Sequence, residues 1–219
     1  RAVLPFINVL SPVVASVGSV NTILRKEDGL LYGHNTDYPG FNSLAKHADI
    51  VFACKNILIL GNGGTAKTIR TVALAAGAKS VILAVRRVTG EGQVLISDLE
   101  STPQLRNDIH IIVNATPVGM SPDDEGIIVD PAMFPNLEAV LDSIYNPLRT
   151  NLVLNARRLG LKAEGGLYML IVQACFAHEL FQDSVNEPIC DFQKIESLYY
   201  ELLHAKENIV LTGMPSSGK

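Results

Sequence analysis

The fold is decided by residues 56–87, NILILGNGGTAKTIRTVALAAGAKSVILAVRR. An apolar, strand-forming run from Ile57 to Leu60 enters a glycine cluster, a helical stretch follows from Ala66 to Ala76, and a second apolar run closes at Val85. Gly61, Gly63 and Ala66 stand in the G-x-G-x-x-(G/A) spacing between strand and helix, where backbone N–H groups at a helix start can face a pyrophosphate. Folds of this kind that take NAD carry an Asp or Glu at the end of the second strand to hold the ribose 2′-hydroxyl. Here that place holds Arg86 and Arg87. A carboxylate would repel a 2′-phosphate, whereas a guanidinium can grip it bidentately, so these residues favour NADP over NAD. The competing reading is a glycine turn that only packs helix on strand, with both arginines solvated.

Outward from this stretch the same alternation continues. Strand-like runs at Val81 to Val85, Ile109 to Asn114 and Val140 to Ile144 are interleaved with helical text, including Asn151 to Leu159. This is the pattern of an α/β protein with a doubly wound parallel sheet and crossover helices. The text before Val51 differs: SVNTILRKEDGLLYGHNTD reads as two strands around the turn KEDG. Five segments result. Residues 1–48 are expected to form one unit, 49–165 a dinucleotide domain, 166–194 further helices, 195–207 a polar helix or linker, and 208–219 the start of a further domain. That last segment, NIVLTGMPSSGK, places Gly213, Gly218 and Lys219 in phosphate-loop spacing after an apolar run.

Composition narrows the function classes. With 219 residues, 47% hydrophobic and 18% charged, there is enough apolar surface for a real core. A net charge of −4 without a basic cluster favours neither nucleic acid nor an anionic membrane surface. Cys54, Cys175 and Cys190 are odd in number and widely spaced, which argues against a disulfide framework and fits a reducing cytoplasm. No apolar run reaches membrane-spanning length. His34, His47, His110, His178 and His204 share no ligand spacing with each other or with the cysteines, so no metal site is expected.

Two further features raise a choice each. If Arg25 and Leu30 flank the hairpin turn, Asn21 falls opposite about His34, with Asp37 just beyond on the same open end. A carboxamide and a carboxylate sharing one mouth suit a polyhydroxylated ligand; equally, Asn and Asp at strand ends form turns, and Asp37 before YPGF could cap a helix. On the helix from Leu167 to Phe181, Gln173 shares a stripe with Leu170, Ala177 and Leu180 that should be buried. A buried amide must be satisfied by another protein group or by something bound in a cleft. Gly165 and Gly166 allow another body to approach the start of that helix.

These motifs together resemble the shikimate dehydrogenase family: SVNTI, HNTDYPGF, GNGGTAK, VNATPVGM, SIYNPLRT and GLYMLIVQA occur in its order and spacing. The resemblance runs from the start to about Ser184, and it implies that residues 1–48 are the later part of a substrate-binding domain to which the helices of 166–194 return. It implies reduction of 3-dehydroshikimate to shikimate with NADPH, by a monomer or homodimer whose partner is a small molecule. It assigns Asp37 to a catalytic Lys/Asp pair, and Asn21, Asp37, Tyr145 and Gln173 to substrate. Gly61, Asn62, Gly63, Gly64, Thr65 and Ala66 match the diphosphate loop, and Arg86, followed by Arg87, matches the arginine of the family's NRT motif, altered here to VRR. Asn114, Ala115, Thr116, Met120 and Gly166 would line the cofactor. A quinate-accepting relative with relaxed cofactor use, or a non-catalytic dinucleotide-binding module, would share most of these motifs. The family's substrate-binding serine pair and its PxK lysine would precede Arg1, and NIVLTGMPSSGK resembles the opening of shikimate kinase. The sequence is therefore expected to be an interior segment of a bifunctional dehydrogenase and kinase, without the catalytic lysine.

Overall fold

The computed structural model describes residues 3–182 and 191–206. Gly213, Gly218 and Lys219, with Cys190, lie outside the described residues. In chain order the main elements are β1 (Val9–Leu10), α1 (Pro12–Val17), β2 (Thr22–Arg25), β3 (Leu31–His34), α2 (Asp37–His47), β4 (Asn56–Leu60), α3 (Gly64–Ala75), β5 (Ser80–Val85) and β6 (Gln93–Leu95). They continue with α4 (Asp98–Ser101), α5 (Pro103–Asn107), β7 (Ile111–Asn114), β8 (Ala139–Asp142), α6 (Asn151–Arg158), β9 (Lys162–Glu164), α7 (Leu167–Gln182) and α8 (Phe192–Lys206).

Six strands, in the order β6-β5-β4-β7-β8-β9, form one sheet in which every pairing is parallel. This is the doubly wound architecture expected from the alternation of runs. Helices cover both faces, so the strands are apolar on both sides: Ile57 and Ile59 pack toward α2, α3 and α7, while Leu58 and Leu60 pack toward Leu99, Phe134 and Leu152. The winding direction reverses between β4 and β7, and there the carboxyl ends of two adjacent strands diverge to leave a crevice.

The smaller sheet has the order β1-β3-β2, with β1 parallel to β3 and β2 antiparallel to it. Its hairpin differs from expectation by one residue. Arg25 pairs with Leu31 rather than Leu30, and Thr22 rather than Asn21 lies opposite His34. The cause is the turn: the Gly29 N–H donates to the Lys26 carbonyl at 2.9 Å and the Lys26 N–H to the Leu30 carbonyl at 3.2 Å. Gly29 sits at φ 78°, so the turn closes on three residues, Glu27 to Gly29, between Lys26 and Leu30, one fewer than the four of KEDG. Asn21 still ends β2's side of the mouth, its N–H donating to the His34 carbonyl at 3.2 Å.

Two helices tie the sheets together. A Cβ on Gly40 would lie 2.9 Å from the Met169 carbonyl and 3.1 Å from Gln173 Cβ, so α2 and α7 approach as closely as backbones allow. Residues 195–206, within the segment read as a polar helix or linker, belong to α8, which packs on this pair through buried Ile195 and Tyr199. His47 of α2 stacks on Tyr168 of α7 at 4.0 Å between ring centres, and Tyr199 meets both rings edge-on.

Candidate active site

Asp37 opens α2, and the residues before it settle which reading of the hairpin end holds. Thr36 is the N-cap by position, yet its hydroxyl makes no cap bond. Asn35 Oδ1 accepts from the Tyr38 N–H at 3.1 Å in its place. The carboxylate of Asp37 is therefore not the capping group. Burial raises its pKa above the ordinary carboxylate value, while a hydrogen bond from Asn21 opposes that shift.

Thr36, only 2% exposed, is the residue that sequence reasoning missed. Its backbone N–H donates to Asn21 Oδ1 at 2.9 Å, and its hydroxyl accepts from Asn21 Nδ2 at 3.1 Å. The same hydroxyl donates to Gln173 Oε1 at 3.3 Å. Thr36 thus fixes two carboxamides, one from each helix or strand bordering the mouth, in a defined orientation. The stripe of Gln173, Leu170, Ala177 and Leu180 is half-buried rather than buried. The covered face of α7 is Leu167, Tyr168, Met169, Ile171 and Val172, because that is where α2 and the large sheet pack. Gln173 is satisfied within the protein by Thr36 and, through Nε2, by the Leu170 carbonyl at 3.1 Å. It also lines a cleft.

That cleft, about 350 Å³, is bounded by Asn21 and Asp37 of the smaller lobe, by Met169, Leu170 and Gln173 of α7, and by Thr65, Ser143, Tyr145 and Gly166 of the dinucleotide side. All four residues expected to meet substrate share it. Gly165 and Gly166 have a nearer reason than an approaching ligand. A Cβ on Gly165 would lie 2.6 Å from the Leu148 carbonyl, and one on Gly166 would collide with the Ser143 carbonyl. The protein's own loop after β8 is the body they admit.

The glycine loop fits a dinucleotide. Gly61 has φ 106°, and a Cβ there would press on Thr116 Cγ2 at 3.0 Å, so Gly61 lets the loop leaving β4 cross the end of β7. Asn62, Gly63 and Gly64 are exposed at the start of α3, and nothing would lie within 4 Å of a Cβ on Gly63. An open surface of backbone N–H groups at a helix start is what a diphosphate needs. Ala66 is fully buried and packs the helix. Arg86 and Arg87 are exposed and leave β5 at the same edge of the sheet, since Leu60 pairs with Ala84 in the neighbouring strand. Their loop is held by Gln93 Oε1, which accepts from the Thr89 N–H at 2.8 Å. Ala115 and Thr116 are half-buried and Met120 is exposed, beyond the end of β7.

Asn114 ends β7 beside the crevice. It is 2% exposed, and its amide is consumed internally. Nδ2 donates to Asp142 Oδ1 at 3.0 Å, and Oδ1 accepts from the Thr116 N–H at 3.0 Å and the Thr116 hydroxyl at 2.8 Å. Its side chain shapes the turn beside the crevice instead of facing into it. Asp142, wholly buried, also accepts from the Ile144 N–H at 2.9 Å and the Thr150 hydroxyl at 2.7 Å. Burial pushes its pKa from 3.8 up to about 6 despite these bonds. A carboxyl whose folded pKa lies above its unfolded one is bound to its proton longer in the native state. Its contribution to stability is full below about pH 3.8 and is lost as pH rises through about 6, a change of about 3 kcal/mol. Asp142→Asn is expected to lack that slope, which urea unfolding of both proteins between pH 4 and 7.5 would read directly.

Among the described residues, no group of three or more His, Cys, Asp or Glu is placed to hold a metal ion, and no helix is long and apolar enough to cross a membrane.

The fold and the cleft define a two-lobed α/β protein of the Rossmann type, with a polar cleft between a hairpin lobe and a dinucleotide loop. No family model matches the chain. It is 33% identical over 186 residues to shikimate dehydrogenase (NADP(+)) of Clostridium beijerinckii, an alignment spanning 83% of this chain and 68% of that protein. Among solved structures it resembles shikimate dehydrogenase 1 from Peptoclostridium difficile, with a TM-score of 0.81 and 32% identity over 94% of this chain and 75% of that one. It also resembles the Thermus thermophilus enzyme solved with NADP(H) and shikimate, with a TM-score of 0.71 and 28% identity over 91% of this chain and 74% of that one. The chain belongs to the shikimate dehydrogenase family.

Proposed function

We propose that this protein reduces the ring carbonyl of 3-dehydroshikimate to the hydroxyl of shikimate, using NADPH, in the cleft between its two lobes. One observation carries the reading: Asn21, Asp37, Tyr145 and Gln173 line a single cleft together with Thr65 of the glycine loop and Gly166. Substrate-recognising groups and the cofactor loop are thus neighbours, as a direct transfer between two bound molecules requires.

The bound nicotinamide supplies the hydride. The chain's own residues position the acceptor and handle charge. Asn21 and Gln173, held by Thr36, each offer an amide that can donate to and accept from ring hydroxyls. Asp37 accepts a hydrogen bond from a substrate hydroxyl and stabilises the cationic form of a neighbouring proton donor, which the family resemblance identifies as a lysine. Tyr145, exposed at the cleft wall, borders substrate and nicotinamide. On the cofactor side, N–H groups of the loop from Gly61 to Ala66 hold the diphosphate, and Arg86 with Arg87 holds the 2′-phosphate. Ala115, Thr116, Met120 and Gly166 line the rest of the dinucleotide.

Initial rates separate this reading from its relatives. Oxidation of shikimate with NADP is expected to exceed both oxidation of quinate with NADP and oxidation of shikimate with NAD. Faster turnover of quinate, or a preference for NAD, would contradict it.

A further inference from the structure

A second buried polar chain joins the two sides of the cleft, and none of the roles proposed above uses it. Asn35 is 5% exposed and Thr68 wholly buried. Asn35 caps the first turn of α2, where Asp37 stands, by accepting from the Tyr38 N–H. Its Nδ2 donates to Thr68 Oγ1 at 3.2 Å and to the Ser19 carbonyl at 3.0 Å. Thr68 Oγ1 in turn donates to the Gly64 carbonyl at 3.2 Å. The chain has one direction, from amide to hydroxyl to carbonyl, with the hydroxyl proton committed to Gly64 and a lone pair to Asn35. Ser19 closes the contact from the hairpin lobe, its Oγ lying 2.9 Å from where a Cβ on Gly64 would be.

The Gly64 carbonyl shares a rigid peptide plane with the Thr65 N–H. Thr65 borders the cleft, and its N–H belongs to the open turn at the start of α3. An anion that draws this N–H toward itself turns the Gly64 carbonyl with it, and so shifts the acceptor on which Thr68 and then Asn35 depend.

We infer that Asn35 and Thr68 are positioning residues that couple the cofactor loop to the Asp37 end of α2, so that binding of the dinucleotide tightens binding of the hydroxy acid. The inference rests on the proposed assignment of the glycine loop to cofactor and of Asp37 to substrate. Thr68→Val removes the hydroxyl at nearly constant volume and leaves Asn35 its bond to Ser19.

Calorimetric titration of shikimate, with and without saturating NADP, tests it. In the wild type the cofactor is expected to raise shikimate affinity by about 5-fold or more. In Thr68→Val that factor falls to near one, and Thr68→Ser restores it. Thr68→Ala reads the same quantity should the valine protein not fold. A purely structural role would lower the melting temperature but leave the factor intact, which would overturn the inference. A wild type that binds both ligands without coupling overturns it alone, whereas one that binds neither overturns the functional reading as well.

Discussion

Asp37→Asn, in a polypeptide that carries the family's PxK lysine, is expected to lower kcat for shikimate oxidation by about 10²- to 10⁴-fold, the usual worth of general acid–base assistance, while the KM for NADP stays near that of the wild type. The substitution keeps the size of the side chain and its reach to Asn21, and removes only the charge. Because the N-cap bond of α2 comes from Asn35, the helix should hold its place without the carboxylate. Loss of the charge would deprive the lysine that the family resemblance places beside Asp37 of its partner, and the substrate hydroxyl of its strongest acceptor. Steady-state kinetics with each substrate varied in turn would show the effect in kcat. A variant with wild-type kcat would remove Asp37 from the chemistry.

The second large effect concerns cofactor choice. Replacing both Arg86 and Arg87 by Ala is expected to raise the KM for NADP by about 10- to 150-fold, from the 1.5–3 kcal/mol typical of hydrogen bonds to charged groups. The KM for NAD, which has no 2′-phosphate, should hardly move. Single substitutions would apportion the effect between the two side chains. Both leave β5 at the edge where the glycine loop leaves β4, so either can reach the adenosine end. Equal losses for NAD and NADP would mean that the arginines support the loop rather than read the phosphate.

Four strands of the parallel sheet, β4, β5, β7 and β8, were legible because they are largely buried and therefore stand out as apolar runs between helical stretches; the half-buried edge strands β6 and β9 carry no such run and escaped. The glycine loop was legible because its spacing depends on local backbone geometry alone. What escaped was set by contacts distant in sequence. The hairpin register turned on Gly29 adopting a left-handed conformation, which closes the loop on three residues between Lys26 and Leu30. The stripe through Gln173 follows from helical periodicity, but whether it is covered depends on where α2 packs, and Gly40 admits α2 against a neighbouring face. Asn114 stands at the end of β7. Its side chain is claimed by Asp142, which the parallel pairing of β7 and β8 sets beside it. Asn35 and Thr36 lie within HNTDYPGF, but neither that motif nor the sequence around Thr68 says which groups these side chains hold; only the meeting of the hairpin end with α3 and α7 reveals it.

The central claim is that one cleft receives the hydroxy acid and the dinucleotide side by side. A crystal structure of the protein with shikimate and NADP bound together tests it most directly. The account predicts shikimate hydroxyls within hydrogen-bonding distance of Asn21, Asp37 and Gln173, the diphosphate on the loop from Gly61 to Ala66, and the 2′-phosphate against Arg86. Shikimate bound elsewhere, or a dinucleotide whose nicotinamide end lies away from Tyr145 and Gly166, would contradict it.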